Sequence, residues 1–346
     1  MLQRGMLLKP ILAAIIQSPK DSSFVSILRQ NSNKEADKLR ELIKITLELA
    51  LIVGFGDVLG PLKSLGFWFY GKKMIDVVMK YDEILERFMI EHEERGKKEG
   101  FEREDRDLMD ILLKVYEDDN AELKITTTHI KAFFLDLFIG GTSTTSEVMQ
   151  WTIVELINHP YVLNKLRNEI NSIVGSKRLI EDSDVPNLPY LQVIIKETLR
   201  LYPGVPLVSR KCRQNCKIQD FDVPKETKVM VNVHAIMRDP EIWENPNEFW
   251  LERFLDYSKE QSEAIKEHMD FGFVPFGGGK RRFPGSSLAL LLLHATIRAM
   301  VQCFDWKLVG DEVNKVNMQT GQSTGLPMAH PLVLVLVVRL IPIVKM

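Results

Sequence analysis

Residues 271–290 read FGFVPFGGGKRRFPGSSLAL. Two glycine-bearing turns, FGGG at 276–279 and PG at 284–285, bracket a cationic run of Lys280, Arg281 and Arg282, and an apolar helical pattern follows from Leu288 to Phe304. Glycine lacks a Cβ, so such a loop brings its backbone close to a flat or bulky ligand, and the Pro-Gly pair fixes a sharp exit into the helix. The stretch predicts a rigid loop aimed at a ligand.

Upstream, the longest apolar helical pattern runs from Thr128 to His159, THIKAFFLDLFIGGTSTTSEVMQWTIVELINH. Its middle, Gly140 and Gly141 followed by Thr142, Ser143, Thr144, Thr145 and Ser146, is a block of poor helix formers. The block reads either as a plain loop between two helices or as a groove in one helix, where glycines and hydroxyls free carbonyls for water or a ligand. Further on, the largely apolar run from Leu191 to Leu201 carries Glu197 and Arg200, three apart and so on one helical face. Charges on a buried face need each other. Stripping one partner from a buried pair costs about 3–5 kcal/mol, against about a few tenths of a kcal/mol gained by an exposed pair.

The remaining chain supplies a frame. Helical patterns occupy 34–53, about 72 to 99, 108–116 and 160–174, with polar breaks at 99–107 and 117–123. The Glu and Lys residues spaced three and four apart in 72–99 make a solvated face, with partner docking as the lesser reading. Residues 206–240, PLVSRKCRQNCKIQDFDVPKETKVMVNVHAIMRDP, alternate in short runs between turn signals and predict strands of a small sheet. An irregular, proline-punctuated loop follows at 239–254, and the C-terminal HPLVLVLVVRLIPIV at 330–344 is β-rich. The expected fold class is mainly α with small β-sheets.

Composition excludes several functions. A formal charge of -2 over 346 residues leaves no basic field for nucleic acid. Three cysteines, Cys212, Cys216 and Cys303, are too few for a disulfide framework, so a reducing compartment is the default. Cys212 and Cys216 form a C-x-x-x-C, read as structural cysteines first and as a zinc site second, because no further His or Cys stands nearby. The opening MLQRGMLLKPILAAIIQSPK has an apolar run broken by Lys9 and Pro10, short of the roughly 20 residues that span a bilayer. It lacks a clear small-residue cleavage site, and reads as a buried or surface-docked segment or a misassigned start. No internal repeat, Walker loop, dinucleotide fingerprint or G-x-S-x-G elbow is present.

Four landmarks, standing along the chain in the order the family has them, carry a family resemblance. The opening loop resembles the haem-binding loop of cytochromes P450, Phe-Gly-x-Gly-x-Arg-x-Cys-Pro-Gly, met here by Phe276, Gly277, Gly279, Arg281, Pro284 and Gly285. Phe283 stands where the family has the cysteine whose thiolate binds iron. The block at 140–145 resembles the family's oxygen-binding groove, Ala/Gly-Gly-x-Asp/Glu-Thr-Thr/Ser, with Thr144 as the threonine and Ser143 in place of the acid. Glu197 and Arg200 resemble the family's Glu-x-x-Arg pair, completed by Arg253 of the LERF segment at 251–254, where Leu251 replaces the motif's proline. The phrases MVQCFDW at 300–306 and MAHPL at 328–332 are similar to the plant microsomal group that includes flavonoid- and triterpenoid-modifying hydroxylases.

The resemblance implies a cytochrome P450 fold incomplete at the N-terminus, with residues 33–346 as a partial P450 domain and 1–32 as an unmatched segment. It implies haem as cofactor, a small apolar substrate hydroxylated with O2, and electrons from NADPH-cytochrome P450 reductase. The implied location is the endoplasmic reticulum membrane surface, or the cytoplasm if the truncation is real, and no membrane anchor is read in this chain. Thr144 and Ser143 take the catalytic positions; Arg210, Phe276, Gly277, Gly279, Lys280, Arg281, Phe283, Pro284 and Gly285 take the haem-side positions. Arg210 corresponds to a strand arginine that faces a haem propionate, a carboxylate suited to bidentate guanidinium bonding; read from residues alone it is equally a surface arginine. The resemblance also implies impairment. The family's thiolate pushes electron density onto iron to favour O–O cleavage, whereas Phe283 has no lone pair, so no metal ligand is expected. Loss of a positioned acid costs about 10²–10⁴ in rate. The expected function is therefore an impaired monooxygenase, or a catalytically inactive remnant with at most a binding role, and the remnant is preferred for the chain as written.

Overall fold

The structure, a computed structural model, describes residues 38–39, 41–49, 63–99, 107–175, 178–255, 271–308, 316–321, 325–330 and 332–339. Expectations for the N-terminal 1–20, for 34–37 and 50–53, for the break at 100–106 and for the tail at 340–344 lie outside these residues. The chain divides into two units, residues 16–143 and residues 144–346 with 1–15.

Among its described residues, the unit at 16–143 is mainly helical. Helix α1 spans Lys63–Glu99, α2 Leu108–Glu117, and α3 Thr127–Asn158, whose first part belongs here; residues 41–49 are also helical. Helix α1 begins well before the expected residue 72, carrying Gly66 and Gly71 inside it although each is unfavourable by about 1 kcal/mol relative to alanine. Packing outweighs that propensity. Val77, Tyr81, Ile84, Leu85, Phe88 and Met89, spaced three and four apart, form one core with Met109 and Leu113 of α2 and Ile130, Phe134 and Phe138 of α3.

Helix α2 starts on a capping box. Asp107 Oδ1 accepts from the Met109 and Asp110 amides at 2.9 and 3.2 Å, and Asp110 Oδ2 accepts from the Asp107 amide at 3.0 Å. The buried His92 of α1 closes the corner, its Nδ1 2.8 Å from Asp110 Oδ1 and 3.5 Å from Asp107 Oδ1.

The unit at 144–346 holds the rest of α3, then α4 (Pro160–Ile173), α5 (Pro189–Leu201), strands β1 (Leu207–Lys211), β2 (Cys216–Ile218), β3 (Phe221–Val223) and β4 (Lys228–Asn232). After these come α6 (Val233–Ile236), α7 (Glu252–Leu255), α8 (Ser286–Cys303), β5 (Phe304–Leu308) and β6 (Leu334–Val338). Prolines at the first position start α4 and α5, where the missing N–H costs nothing. The core is built by Leu191, Ile194, Ile195 and Leu199 of α5 against Leu293, Ile297, Met300 and Val301 of α8, with Leu166 and Ile170 of α4 and Val148, Ile153 and Leu156 of α3.

Two expectations are corrected here. Residues 207–232 form two separate antiparallel ladders, β1–β4 and β2–β3, instead of one sheet, because the turn after Lys211 sends β2 to pair with β3 alone. The helix expected to reach Phe304 stops at Cys303, and Phe304–Leu308 is a strand that pairs with β6. The five residues FDWKL are too short to stand out as a strand beside a long apolar helix. The block at 140–146 is helical throughout, inside α3.

Candidate active site

The loop at 273–285 is folded by its glycines and closed by Phe283. The Gly277 amide donates to Val274 O at 2.9 Å, the Arg282 amide to Gly279 O at 3.1 Å, and the Phe283 amide to Phe276 O at 3.0 Å. Gly277 and Gly279 sit at φ +73 and +65, in the left-handed region that L side chains rarely adopt. A Cβ at Gly277, Gly278 or Gly279 would meet nothing within 4 Å, so this side of the loop is open. The aromatic side is filled. The Phe283 ring stacks on Phe276 with centroids 6.4 Å apart and 18° between planes, and it lies over Gly285, where a Cβ would come within 2.7 Å of Cε1 and Cζ.

Gly285 then caps α8, whose first amide bond here runs from Ala289 to Gly285 O at 2.9 Å. Lys280, Arg281 and Pro284 are exposed. Arg210 of β1 is exposed as well, its Nη2 3.5 Å from Arg281 O and its Nη1 donating to Ser209 O at 2.9 Å. Both of these contacts are to backbone carbonyls.

Helix α3 brings a second set of groups. Thr144 and its neighbour Ser143 are half-buried. Gly204, just after α5, packs against Thr144: a Cβ there would lie 3.0 Å from Thr144 Cβ. Glu147 stands three residues beyond Thr144, hence on the same helical face, and its Oε2 accepts from the Leu326 amide at 3.2 Å. Burial pushes its carboxyl up to about 7, against the lowering effect of that hydrogen bond. One turn further, Trp151 stacks on Tyr202 at 4.2 Å and 5°, and its Nε1 donates to Leu326 O at 2.6 Å. The Tyr202 hydroxyl donates to Glu155 Oε1 at 2.7 Å, and burial together with that carboxylate pushes the phenol above its ordinary range.

Sequence reasoning does not single out Glu147. The available signal is an isolated acid one turn from Thr144 in an otherwise uncharged stretch, GGTSTTSEVMQW.

The third set is a buried ion network. Glu197 Oε2 and Oε1 accept from Arg200 Nε and Nη2, both at 2.8 Å, and Oε1 also accepts from Arg253 Nε and the Trp250 amide at 3.1 Å. Arg200 spends its other donors on Met237 O at 2.9 Å, Pro246 O at 2.7 Å and Glu248 O at 3.2 Å. Arg253 reaches Trp250 O, Glu244 O and Asn245 O at 3.1, 2.7 and 3.2 Å. Trp243 lies beneath both guanidiniums, at 5.1 Å from Arg200 and 5.9 Å from Arg253. The two guanidiniums and the Glu197 carboxylate thus tie down backbone groups along the irregular stretch 237–253, and buried Leu251 takes its place in the core. No sheet or long helix holds that stretch, so the arginines do.

A mainly helical unit with a buried Glu-x-x-Arg network, a long helix carrying Thr144 and a glycine loop opening into an apolar helix defines the class. The family model for cytochrome P450 matches residues 19–335, reaching into the segment read from sequence as unmatched. Cytochrome P450 705A22 of Arabidopsis thaliana is 43% identical over 312 residues, covering 90% of this chain and 59% of that protein. The 3,9-dihydroxypterocarpan 6A-monooxygenase of Glycine max is 38% identical over 316 residues, 90% of this chain and 61% of the relative. Among solved structures, a zebrafish cytochrome P450 determined with progesterone superposes with a TM-score of 0.70 at 26% identity, covering 96% of this chain and 69% of that one. The chain belongs to the cytochrome P450 family. It spans about three fifths of the length of the curated relatives it matches.

Haem is the family's cofactor, and the loop meets only half of its requirements. Gly277 and Gly279 give the turn that a flat macrocycle needs, and the face above them is open. The donor is missing: Phe283 offers carbon alone, and its ring occupies the space between Phe276 and Gly285. Cys303, buried and with its thiol pushed up by burial, closes the far end of α8, roughly 25 Å along the helix. The residues present do not fit a thiolate-held haem.

Proposed function

We propose that this chain keeps the scaffold of a cytochrome P450 monooxygenase and has lost its oxygen chemistry. In this reading the lineage hydroxylates a small apolar molecule with O2, using electrons from NADPH-cytochrome P450 reductase at the endoplasmic reticulum membrane surface. The present chain retains at most a binding role. The carrying observation is Phe283: its ring stacks on Phe276 and leaves the loop without an electron-pair donor, and the push that favours O–O cleavage requires one. Ser143 in the acid's place points the same way, because a hydroxyl does not replace a positioned carboxylic acid in proton delivery.

Glu147 does not restore the lost proton delivery in this reading. It stands near Thr144 on that face of α3, but its Oε2 is engaged by the Leu326 amide, so it holds the 325–326 segment in place. The test is an absorption spectrum of the protein purified from haem-supplemented cells, reduced under carbon monoxide. The expected result is no red-shifted thiolate-type Soret band, and the appearance of that band would refute the proposal.

A further inference from the structure

The β5–β6 ladder has two unlike edges. Along β5 the outward backbone is guarded: Arg167 of α4 donates from Nη2 to Phe304 O at 3.0 Å and pairs with Asp305 Oδ1 at 2.7 Å. Beyond β6, among the described residues, no strand follows. The phase of the ladder decides which groups that edge presents. The Arg339 amide donates to Cys303 O at 2.8 Å, on the β5 side, and the direction of N–H and C=O alternates along a strand. Val337 and Val335 therefore turn their backbone groups to β5, whereas Leu334, Leu336 and Val338 turn theirs to the open edge. The side chains alternate as well: Leu334 and Leu336 pack on the core, and Val333, Val335, Val337 and Val338 are exposed. No charged residue stands from Leu332 to Val338, although an exposed edge is ordinarily blunted by charge or proline.

We propose that β6 is a self-association edge, at which two copies of this chain pair β6 with β6, antiparallel about Val335, into one four-stranded sheet. The occupant is named by the strand itself. Residues 333–337 read V-L-V-L-V, the same in both directions, and a two-fold axis requires a patch that complements its own copy. With Val335 on that axis, Leu334 of each copy stands opposite Leu336 of the other. Both leucines turn their backbone groups to the edge, so the two pairs exchange hydrogen bonds in full. Val335 meets the second copy's Val335, and Val333 meets the second copy's Val337, at the closer positions without hydrogen bonds. Apolar side chains face apolar side chains throughout, and no charge of the strand is desolvated or set against a like charge. Five residues a side fall far short of the roughly 20–30 of a standard interface, so the pairing is weak and reversible, with Kd on the order of 10–100 µM. It does not depend on whether the chain binds haem.

The experiment uses the full chain. Sedimentation from about 5 to about 500 µM is expected to show the average mass rising towards that of a dimer. Val335→Lys sets two ammonium groups against each other on the axis and is expected to weaken association at least about tenfold, with the thermal midpoint of the exposed-site variant unchanged. The register is read by cross-linking in a background of Cys212→Ser and Cys216→Ser, with Cys303 left buried. Strand positions paired without hydrogen bonds hold their Cα atoms about 4.5 Å apart, inside the disulfide range of about 4.4–6.8 Å. Val335→Cys is therefore expected to link to itself in more than half of the chains on mild oxidation. Val337→Cys alone stays open, and a mixture of Val333→Cys and Val337→Cys chains gives the mixed dimer. The proposal is overturned by a chain that stays monomeric at the highest concentration, by association that Val335→Lys leaves unchanged, or by Val337→Cys linking to itself as readily as Val335→Cys. It is overturned equally if the thiol of Val335→Cys is closed to N-ethylmaleimide in the monomer, which would show that another segment of the same chain covers the edge.

Discussion

The ring of Phe283 lies stacked on the ring of Phe276, with centroids 6.4 Å apart and 18° between their planes. The two residues are also joined through backbone, Phe283 N–H to Phe276 O at 3.0 Å. One side chain therefore does two things: it removes the lone pair at the loop's centre and supplies an apolar contact that helps close the same loop. Such an aromatic pair is worth about 0.5–1.5 kcal/mol beyond its area.

That double role makes the outcome of substitution at 283 specific. Phe283→Cys restores a donor and gives up the ring, so it is expected to destabilise the chain by about 1–2 kcal/mol while raising haem retained through a desalting column about tenfold over wild type. Phe283→Leu is expected to lose comparable stability and gain no haem. The ratio of Soret to protein absorbance reads the first effect, and a urea midpoint the second. Equal haem content in the two variants would show that the donor at 283 is not what is missing.

Glu197 accepts from two arginines at once, so its removal strands two buried cations. Glu197→Gln is expected to cost about 3–5 kcal/mol, a loss visible as a large fall in the chemical denaturation midpoint. Arg200→Lys belongs to the same test. A lysine ammonium cannot reproduce the fork that serves Glu197, Met237 O, Pro246 O and Glu248 O together. It is expected to destabilise by at least about 2 kcal/mol despite keeping the charge. A midpoint unchanged by Arg200→Lys would mean that charge alone, without the fork, holds the stretch 237–253.

Several of these features are legible in the residues themselves. The helical frame is written in three- and four-residue apolar spacing, and Glu197 with Arg200 announces burial by standing charged in an apolar run. The glycines at 277 and 279 mark a backbone that comes close to a ligand, whereas the left-handed conformation they adopt is seen only in the structure. Long-range closure is what local pattern does not carry. β5 exists because β6 pairs with it from Leu334 onward, and nothing local in FDWKL distinguishes that strand from the end of a helix. The single sheet expected at 206–240 is two ladders for a similar reason, since strand runs do not say which strand they pair with. Glu147 escapes a reading by sequence because its meaning comes from Gly325 and Leu326, far along the chain.

The corner between α1 and α2 gives a stability test away from the loop. Asp110 caps the Asp107 amide with one oxygen and meets His92 with the other. Asp110→Ala removes both contacts and leaves His92 Nδ1 buried without this partner. A lost cap costs about 0.5–2 kcal/mol and a stranded buried polar group about 1–3 kcal/mol, so the expected total is about 2–4 kcal/mol. Asp110→Asn keeps a carbonyl oxygen and an amide and is expected to lose about half as much. Amide exchange in α2 should quicken in the same order, and equal rates in the two variants would remove the cap from the explanation.

Glu147 supplies a pH dependence whose sign is fixed by its surroundings. Its ordinary carboxyl value of 4.5 is raised to about 7 in the folded chain, chiefly by burial. Between those values the folded state holds a proton that the unfolded state has released, so stability from this group rises as pH falls from about 7 towards 4.5 and levels off below. Above 7 the buried carboxylate is a cost. Glu147→Gln keeps an acceptor for the Leu326 amide and carries no charge at any pH. It is therefore expected to be more stable than wild type at pH 8, by about 1 kcal/mol once the full shift is discounted for the accessible part of the side chain. In thermal unfolding this is about 2–4 °C, shrinking to nothing by about pH 4.5. A difference that grows on acidification would reverse the sign and show that the Leu326 amide, rather than burial, sets the protonation of Glu147.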